Sequence, residues 1–224
     1  MDSYARGEHH RFREDHVLAD GTRIALRFLE PGDAEELRRG FARLSSRSRY
    51  QRFLAGMPEL TDEMLRYLTQ LDGENHVAIV ATTESLDLKS EIGLGVARFV
   101  RLAQTPDVAE AAVTVADDAQ GKGIGRILVR ALGALALERG IHSFRGVLLA
   151  ENVGMRRLLE QVGARVHPED GQTLIFDVPL QAPPESPETD AFYPLRRLLR
   201  AAAESLGMIA PAAVRAPEGE GPGR

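Results

Sequence analysis

The chain has 224 residues, 43% of them hydrophobic, enough to bury one sizeable core and to leave room for a second folded unit only if it is small. It contains no cysteine, which excludes disulfides, thiolate metal sites and a cysteine nucleophile. A net charge of −5 speaks against a nucleic-acid binder, and no apolar run approaches a membrane span, so neither partner is expected.

The first segment, Met1 to about Asp20, is rich in His and Arg and has few apolar anchors, and it reads as a polar N-terminal arm (1–20) rather than a signal peptide. Cytoplasmic residence is the resulting expectation. The arm carries His9, His10 and His16, but adjacent histidines diverge and no carboxylate-rich motif accompanies them, so no metal is expected. The folded body is expected over 21–180. It opens with a strand, Arg23 to Phe28, and Pro31-Gly32-Asp33 then signals a helix start. Leu37, Phe41 and Leu44 give that helix an apolar stripe, and a Ser/Arg-rich stretch, Leu44 to Phe53, leads into a second short helix. Thr61 followed by Asp62 and Glu63 caps a third, which carries Met64, Leu65, Leu68 and Leu71.

Strands follow. His76 to Ala81 is an apolar run, Glu84 to Ser90 a polar hairpin loop, and Glu91 to Arg101 alternates as a half-buried strand does. Val108 to Val115 is the next strand, and a helix runs from about Gly123 to Glu138 with Ile124, Ile127, Leu128, Ala131, Leu132 and Leu135 on one side. Phe144 to Ala150 is a strand, Asn152 to Val162 a helix ending at Gly163, and Gln172 to Leu180 a last strand. The order β-α-α-α-β-β-β-α-β-α-β predicts an α+β fold with a mainly antiparallel sheet flanked by helices. Beyond Gln181 lies a Pro/Gly-rich tail (181–224), expected to be flexible, with a short Leu/Arg amphipathic helix between Phe192 and Leu206. That stripe is expected to dock on its own domain, with a homo-oligomer left open.

Between strand and helix stands Gln120-Gly121-Lys122-Gly123-Ile124-Gly125. Glycine at alternate positions lets the amides turn inward, and a helix start adds orphan N–H donors and a positive dipole end, a combination suited to a phosphate or pyrophosphate. Two familiar phosphate loops fail on spacing. Ala116 stands where a Walker loop needs glycine and no Ser or Thr follows Lys122, while Arg126 or Leu128 occupies the third glycine of a dinucleotide fingerprint.

Strand, Gln-Gly-x-Gly-x-Gly, then helix resembles the pyrophosphate loop of the GNAT superfamily of N-acetyltransferases, and the element order over about Thr22 to Leu180 is also theirs. Arg49-Tyr50-Gln51-Arg52-Phe53, Asn75 to Ala81, Gly95 to Phe99 and Ala109 to Val113 look like bacterial protein lysine acetyltransferases. The resemblance implies acetyl-CoA as co-substrate, its diphosphate on Gln120, Gly121, Lys122, Gly123, Ile124, Gly125 and Arg126. It also implies acetyl transfer to a primary amine, a protein lysine side chain first. Such relatives often carry a cyclic-nucleotide-binding or acyl-CoA-synthetase-like region, and within these 224 residues neither is expected. A small-molecule amine N-acetyltransferase and a non-catalytic acyl-CoA sensor are the alternatives.

An amine attacks a thioester only as the free base, and a lysine with pKa about 10.4 is neutral in on the order of one molecule in a thousand near pH 7. Glu110 matches the glutamate that similar enzymes use as base, and Val108, Ala109, Ala111 and Ala112 are expected to surround it and raise its pKa. Asp117, Asp118 and Glu151 compete, the two aspartates more as turn-shaping residues. Backbone N–H groups at Val113, Thr114 and Val115 are the implied donors to the thioester oxygen and pantetheine, because the strand splays from its neighbour in this family. Asn152 either contacts the cofactor arm or is a plain helix cap. Leu159 stands where many GNAT enzymes have a tyrosine acid, and none of Tyr4, Tyr50, Tyr67 and Tyr193 replaces it by motif. Glu35, Glu36, Glu59, Asp62 and Glu63 are expected on the acceptor side, where they would attract a cationic lysine. Lysine is scarce, with only Lys89 and Lys122, so extensive self-acetylation is not expected.

Overall fold

The computed structural model describes residues 12–84 and 90–180. The expected tail helix, His9, His10, Lys89 and Tyr193 lie outside them. Strands β1 (Arg13–Val17) and β2 (Arg23–Phe28) are followed by helices α1 (Ala34–Ala42), α2 (Ser46–Phe53) and α3 (Asp62–Thr69). Strands β3 (His76–Glu84), β4 (Glu91–Leu102) and β5 (Thr105–Val115) come next, then α4 (Ile124–Glu138), β6 (Ser143–Leu149), α5 (Val153–Gln161), β7 (Arg165–Pro168) and β8 (Thr173–Pro179). One eight-stranded sheet runs in the order β1-β2-β3-β4-β5-β6-β8-β7. Only the β5–β6 pair is parallel.

Local chemistry accounts for the helix starts. Ser45 accepts the Ser48 N–H at 3.1 Å, Thr61 that of Met64 at 3.2 Å, and Asn152 that of Met155 at 3.0 Å, each satisfying a donor the first turn leaves unpaired. The Ser/Arg-rich stretch does not lead into a helix; it is α2 itself. Arg49 holds it by donating to the carbonyls of Leu44, Pro58 and Ala42. Gly163, at φ 75°, takes the left-handed turn just beyond α5.

Two strands go beyond the sequence reading. Arg13–Val17, assigned there to a loose arm, is the edge strand β1, paired from Arg13↔Arg27 to Val17↔Arg23. Arg13, Glu14, Asp15 and His16 fill all but its last position, so its pairing rests on the backbone ladder and no apolar face announces it. The four residues of β7 are all exposed and end at Pro168, another edge without an apolar signature.

Period-two alternation divides the core between the two sheet faces. Val77, Ile79 and Ala81 of β3 join Ala97 and Phe99 of β4 against Ile124, Leu128 and Leu132 of α4. Ala78 and Val80 point to the opposite face, which α1, α2 and α3 cover with their own cluster of Phe41, Leu44, Leu60 and Leu65. Arg98, 7% exposed, ties α3 to that face by donating to the Leu68 carbonyl at 2.9 Å and reaching His76 Nε2 at 3.2 Å. Tyr67 packs against the His76 ring at a tilt of 40°, with centroids 5.1 Å apart.

Two stability predictions follow from these contacts. A Cβ on Gly95 would lie 2.8 Å from the Thr114 carbonyl oxygen and 3.1 Å from Leu128 Cδ1. Gly95→Ala is expected to lower the unfolding free energy by about 1–3 kcal/mol in urea titration, and an unchanged midpoint would refute the close approach. Burial, followed by the Arg98 charge, pushes the His76 pKa below 6.5, with Asp72 opposing. The unfolded chain then takes up this proton before the native one does, so stability falls as pH drops through about 6.5 toward the lower native value. His76→Gln should flatten that part of the stability–pH curve.

Candidate functional site

The glycine loop is shaped as an anion cradle. Gly121 and Gly123 have φ of 76° and 89°, values open to glycine at little cost, and Gly123 is the N-cap of α4. Asp117–Ala119 forms a single turn that feeds the loop, and Gln120 Nε2 donates to the Val115 carbonyl at 3.1 Å and to Asp117 Oδ1 at 3.2 Å, closing the strand end onto the loop. Among the described residues, no group accepts a hydrogen bond from the amides of residues 121–126, whereas Ile127 N–H already donates to Gly123 O. Six N–H donors without a described acceptor lie along this loop and first turn, at the positive end of a fifteen-residue helix. Lys122 stands beside them, 3.1 Å from Asp20 Oδ2 in the β1–β2 turn. Asp20 is held at about 2, by hydrogen bonds from Thr22 first and by Lys122 after them.

β5 supplies the second part. Its register with β4 runs from Ala109 opposite Arg101 to Val115 opposite Gly95, but its parallel pairing with β6 stops at Glu110 opposite Arg145. The Ala116 N–H to Leu94 O bond, 2.8 Å, sets the ladder's phase. Residues 110, 112 and 114 therefore turn their backbone groups to β4, and 111, 113 and 115 turn theirs to the gap that β6 leaves. Val113 and Val115 N–H face the gap. Thr114 N–H does not, because it lies opposite Val96 in the ladder, which corrects its expected place among the open donors. Gly125 brings the pieces together, since a Cβ there would lie 3.5 Å from Leu158 of α5 and 3.7 Å from Val115.

Asn152 is the N-cap of α5, its Oδ1 committed to Met155 N–H, which leaves its amide donors for another acceptor. Leu159 is 4% exposed in the core. Asp117 accepts Ser45 N–H at 3.1 Å and Asp118 grips Arg43 at 2.8 Å, so both tie the loop to the α1–α2 corner, beyond the turn-shaping expected of them. Among the described residues no group of three or more His, Asp or Glu is placed to hold a metal ion, and no helix is long and apolar enough to cross a membrane.

Glu110 is exposed, contrary to the apolar enclosure expected from its chain neighbours. Alternation is the reason: Ala109 and Ala111 project to the α4 face while Glu110 shares the other face with Ala112 and Thr114. Its charge is felt by Arg52, at the end of α2, whose pKa is pushed down by burial and up by Glu110.

Ala112 and Thr114 line a cavity of about 350 Å³ between the sheet and α1–α3, within the range of small-ligand sites. Leu29, Leu37, Phe41, Phe53, Leu60 and Val96 make it largely apolar. Its charged groups sort into two sets. In the first, Arg27 binds Asp33 and Glu91 at 2.8 Å each, and Glu36 accepts Gly93 N–H at 2.9 Å. The second is Arg52 with Arg98, whose pKa is pushed down to about 10 by burial first and then by the Arg52 charge. Of the acids expected to attract a lysine, only Glu36 lines the cavity; Glu35 and Asp62 are engaged by Arg38, and Glu59 and Glu63 lie outside the lining. Sequence reasoning passed over Arg52 and Arg98 as site residues. The signal was present in β4, where Arg98 interrupts the otherwise uncharged run Gly95 to Phe99.

Comparison with known proteins agrees with this arrangement. A family model described as the acetyltransferase (GNAT) domain matches residues 23–165. The chain is 34% identical over 166 residues to the acetyltransferase Pat of Mycolicibacterium smegmatis, covering 73% of this chain and 48% of that protein, so it spans about half the length of that relative. The crystal structure of the GNAT domain of S. lividans PAT superposes with a TM-score of 0.69 at 28% identity, over 75% of this chain and 97% of that one. The Salmonella typhimurium protein yncA, solved with its cofactor acetyl-CoA, shares the fold at a TM-score of 0.57 and 18% identity, over 75% of this chain and 99% of that one. A chain with this sheet, this glycine loop and a family match over most of its described residues belongs to the GNAT acetyltransferases.

Proposed function

We propose that this chain moves the acetyl group of acetyl-CoA to a primary amine, with a protein lysine side chain as the acceptor. One observation carries the reading: the unengaged amides of residues 121–126 adjoin a strand whose Val113 and Val115 N–H groups face an open gap. The residues fit a diphosphate joined to an extended amide-bearing arm. Gln120, Gly121, Lys122, Gly123, Ile124, Gly125 and Arg126 would hold the diphosphate, and Val113, Val115 and the Asn152 amide would meet the arm. Acetyl-CoA, when bound, supplies an activated acyl group whose thiolate leaves readily.

The chain's own residues supply the rest. Glu110 takes the proton from the incoming ammonium, directly or through water, and its exposure lets a bulky acceptor reach it. Negative charge developing on the acyl oxygen is met by a β5 N–H from the open side of the strand, a preorganised donor that need not reorient as water does. Leu159 has no proton to give, so water protonates the departing thiolate. The likeness to the M. smegmatis Pat supports a protein substrate, and a cytoplasmic setting belongs to the same reading.

Release of free coenzyme A thiol over a panel of lysine peptides and free amines tests the proposal. Glu110→Gln is expected to lower kcat by about 10²–10⁴-fold. Full kcat/KM across pH in Glu110→Ala, with loss instead in an Asp117, Asp118 or Glu151 variant, would move the base elsewhere. Lys122→Ala should raise the KM for acetyl-CoA roughly three- to tenfold with kcat little changed, the pattern of a lost exposed charge contact to substrate.

A further inference from the structure

Arg52 and Arg98 share one cavity wall, and no described carboxylate bridges them. Arg98 donates to the Leu68 carbonyl and to His76 Nε2, both uncharged acceptors. Arg52 lies over the Phe53 ring, 4.9 Å from its centroid, and no described residue accepts a hydrogen bond from its guanidinium. The opposite charge felt by it is that of Glu110, just along the β5 face from Ala112 and Thr114 of the lining. At the other end of the cavity each carboxylate is engaged, Asp33 and Glu91 by Arg27 and Glu36 by Arg39 and Gly93 N–H. Unmatched charge in this cavity is thus positive and concentrated at Arg52.

A guanidinium offers five N–H donors in a planar fork, and taking it partly out of water without an acceptor is costly. The group that best satisfies such a fork is a carboxylate, bound through two parallel hydrogen bonds. We propose that Arg52, backed by Arg98, is an anion subsite for a carboxylate on the acceptor, held in the cavity while the acceptor's amine is presented to Glu110. The two ends of the acceptor then meet complementary charges, the ammonium at Glu110 and the carboxylate at Arg52. This names an acidic amine as the preferred acceptor class and rests on the acetyl-transfer reading above. Such a carboxylate has two sources with the same chemistry, an acidic side chain beside a target lysine or the carboxylate of a free amino acid.

Two matched pairs of acceptors separate the sources: a lysyl peptide with Glu or Gln beside the lysine, and a free amino acid or its carboxamide. For the full chain, kcat/KM is measured by thiol release, and binding of the same four probes to protein saturated with coenzyme A is measured by calorimetry. Wild type should favour the carboxylate member of at least one pair by roughly tenfold or more. In Arg52→Gln that ratio should fall to about one, and Arg52→Lys, which keeps the charge but not the fork, should retain part of it. Thermal melts of both variants separate misfolding from loss of the subsite. A ratio near one for both pairs in wild type, or one that survives in Arg52→Gln, overturns the proposal. Carboxylate-selective binding without turnover of any acceptor would keep the subsite and remove the acetyl-transfer reading.

Discussion

The parting of β5 from β6 after Glu110 and Arg145 is the constraint on which the rest of the site depends. A strand inside a sheet normally spends both edges of its backbone on neighbours. Here β5 keeps β4 as far as Val115 and loses β6 five residues earlier, so the Val113 and Val115 groups remain unspent beside the glycine loop. Gly146 stands at the parting point. Its missing side chain leaves room for the Phe176 ring, which would approach a Cβ to 2.5 Å, and for the Ala111 carbonyl at 3.1 Å. A side chain at this position would thus collide with β8 and with β5 just where the pairing ends.

The same strand divides labour between its faces. Ala109, Ala111, Val113 and Val115 pack toward α4, which holds the loop in place. Ala112 and Thr114 look toward the cavity under α1–α3, and Glu110 shares their face of the strand. A phosphate-bearing donor on the loop and an amine acceptor in the cavity would therefore approach one strand from different sides. The charges differ too. The loop presents main-chain donors and Lys122, the cavity one neutralised cluster around Arg27 and one half-buried positive end at Arg52.

Much of this was legible in the sequence because it is local. The β2 strand, the Thr61 and Asn152 caps, the glycine loop and the Gly163 stop each declare themselves within a few residues. What escaped depends on distant partners. The β1 strand is polar up to its final Val17 and gains its place by pairing with β2, and β7 is a short exposed edge beside β8. Glu110 is exposed for a similar reason: its apolar neighbours Ala109 and Ala111 lie on the other face, and the group that feels its charge, Arg52, is far off in sequence on α2. Thr114 sits between two open donors but alternates away from them, a distinction that needs the ladder's phase. Arg98 was visible as a charge in an apolar strand, but its pairing with Arg52 exists only once α2 and α3 fold over the sheet.

The central claim is that the main-chain amides of residues 121–126, with those of Val113 and Val115, receive an acyl carrier's diphosphate and arm. Amide-resolved NMR of isotope-labelled protein titrated with coenzyme A tests it most directly. The expected result is saturable movement of the Gly121, Gly123, Gly125, Arg126, Val113 and Val115 amide signals, with Thr114, held in the β4 ladder, moving least among its neighbours. Saturable binding that leaves these signals still and moves others, or no binding by folded protein, would contradict it.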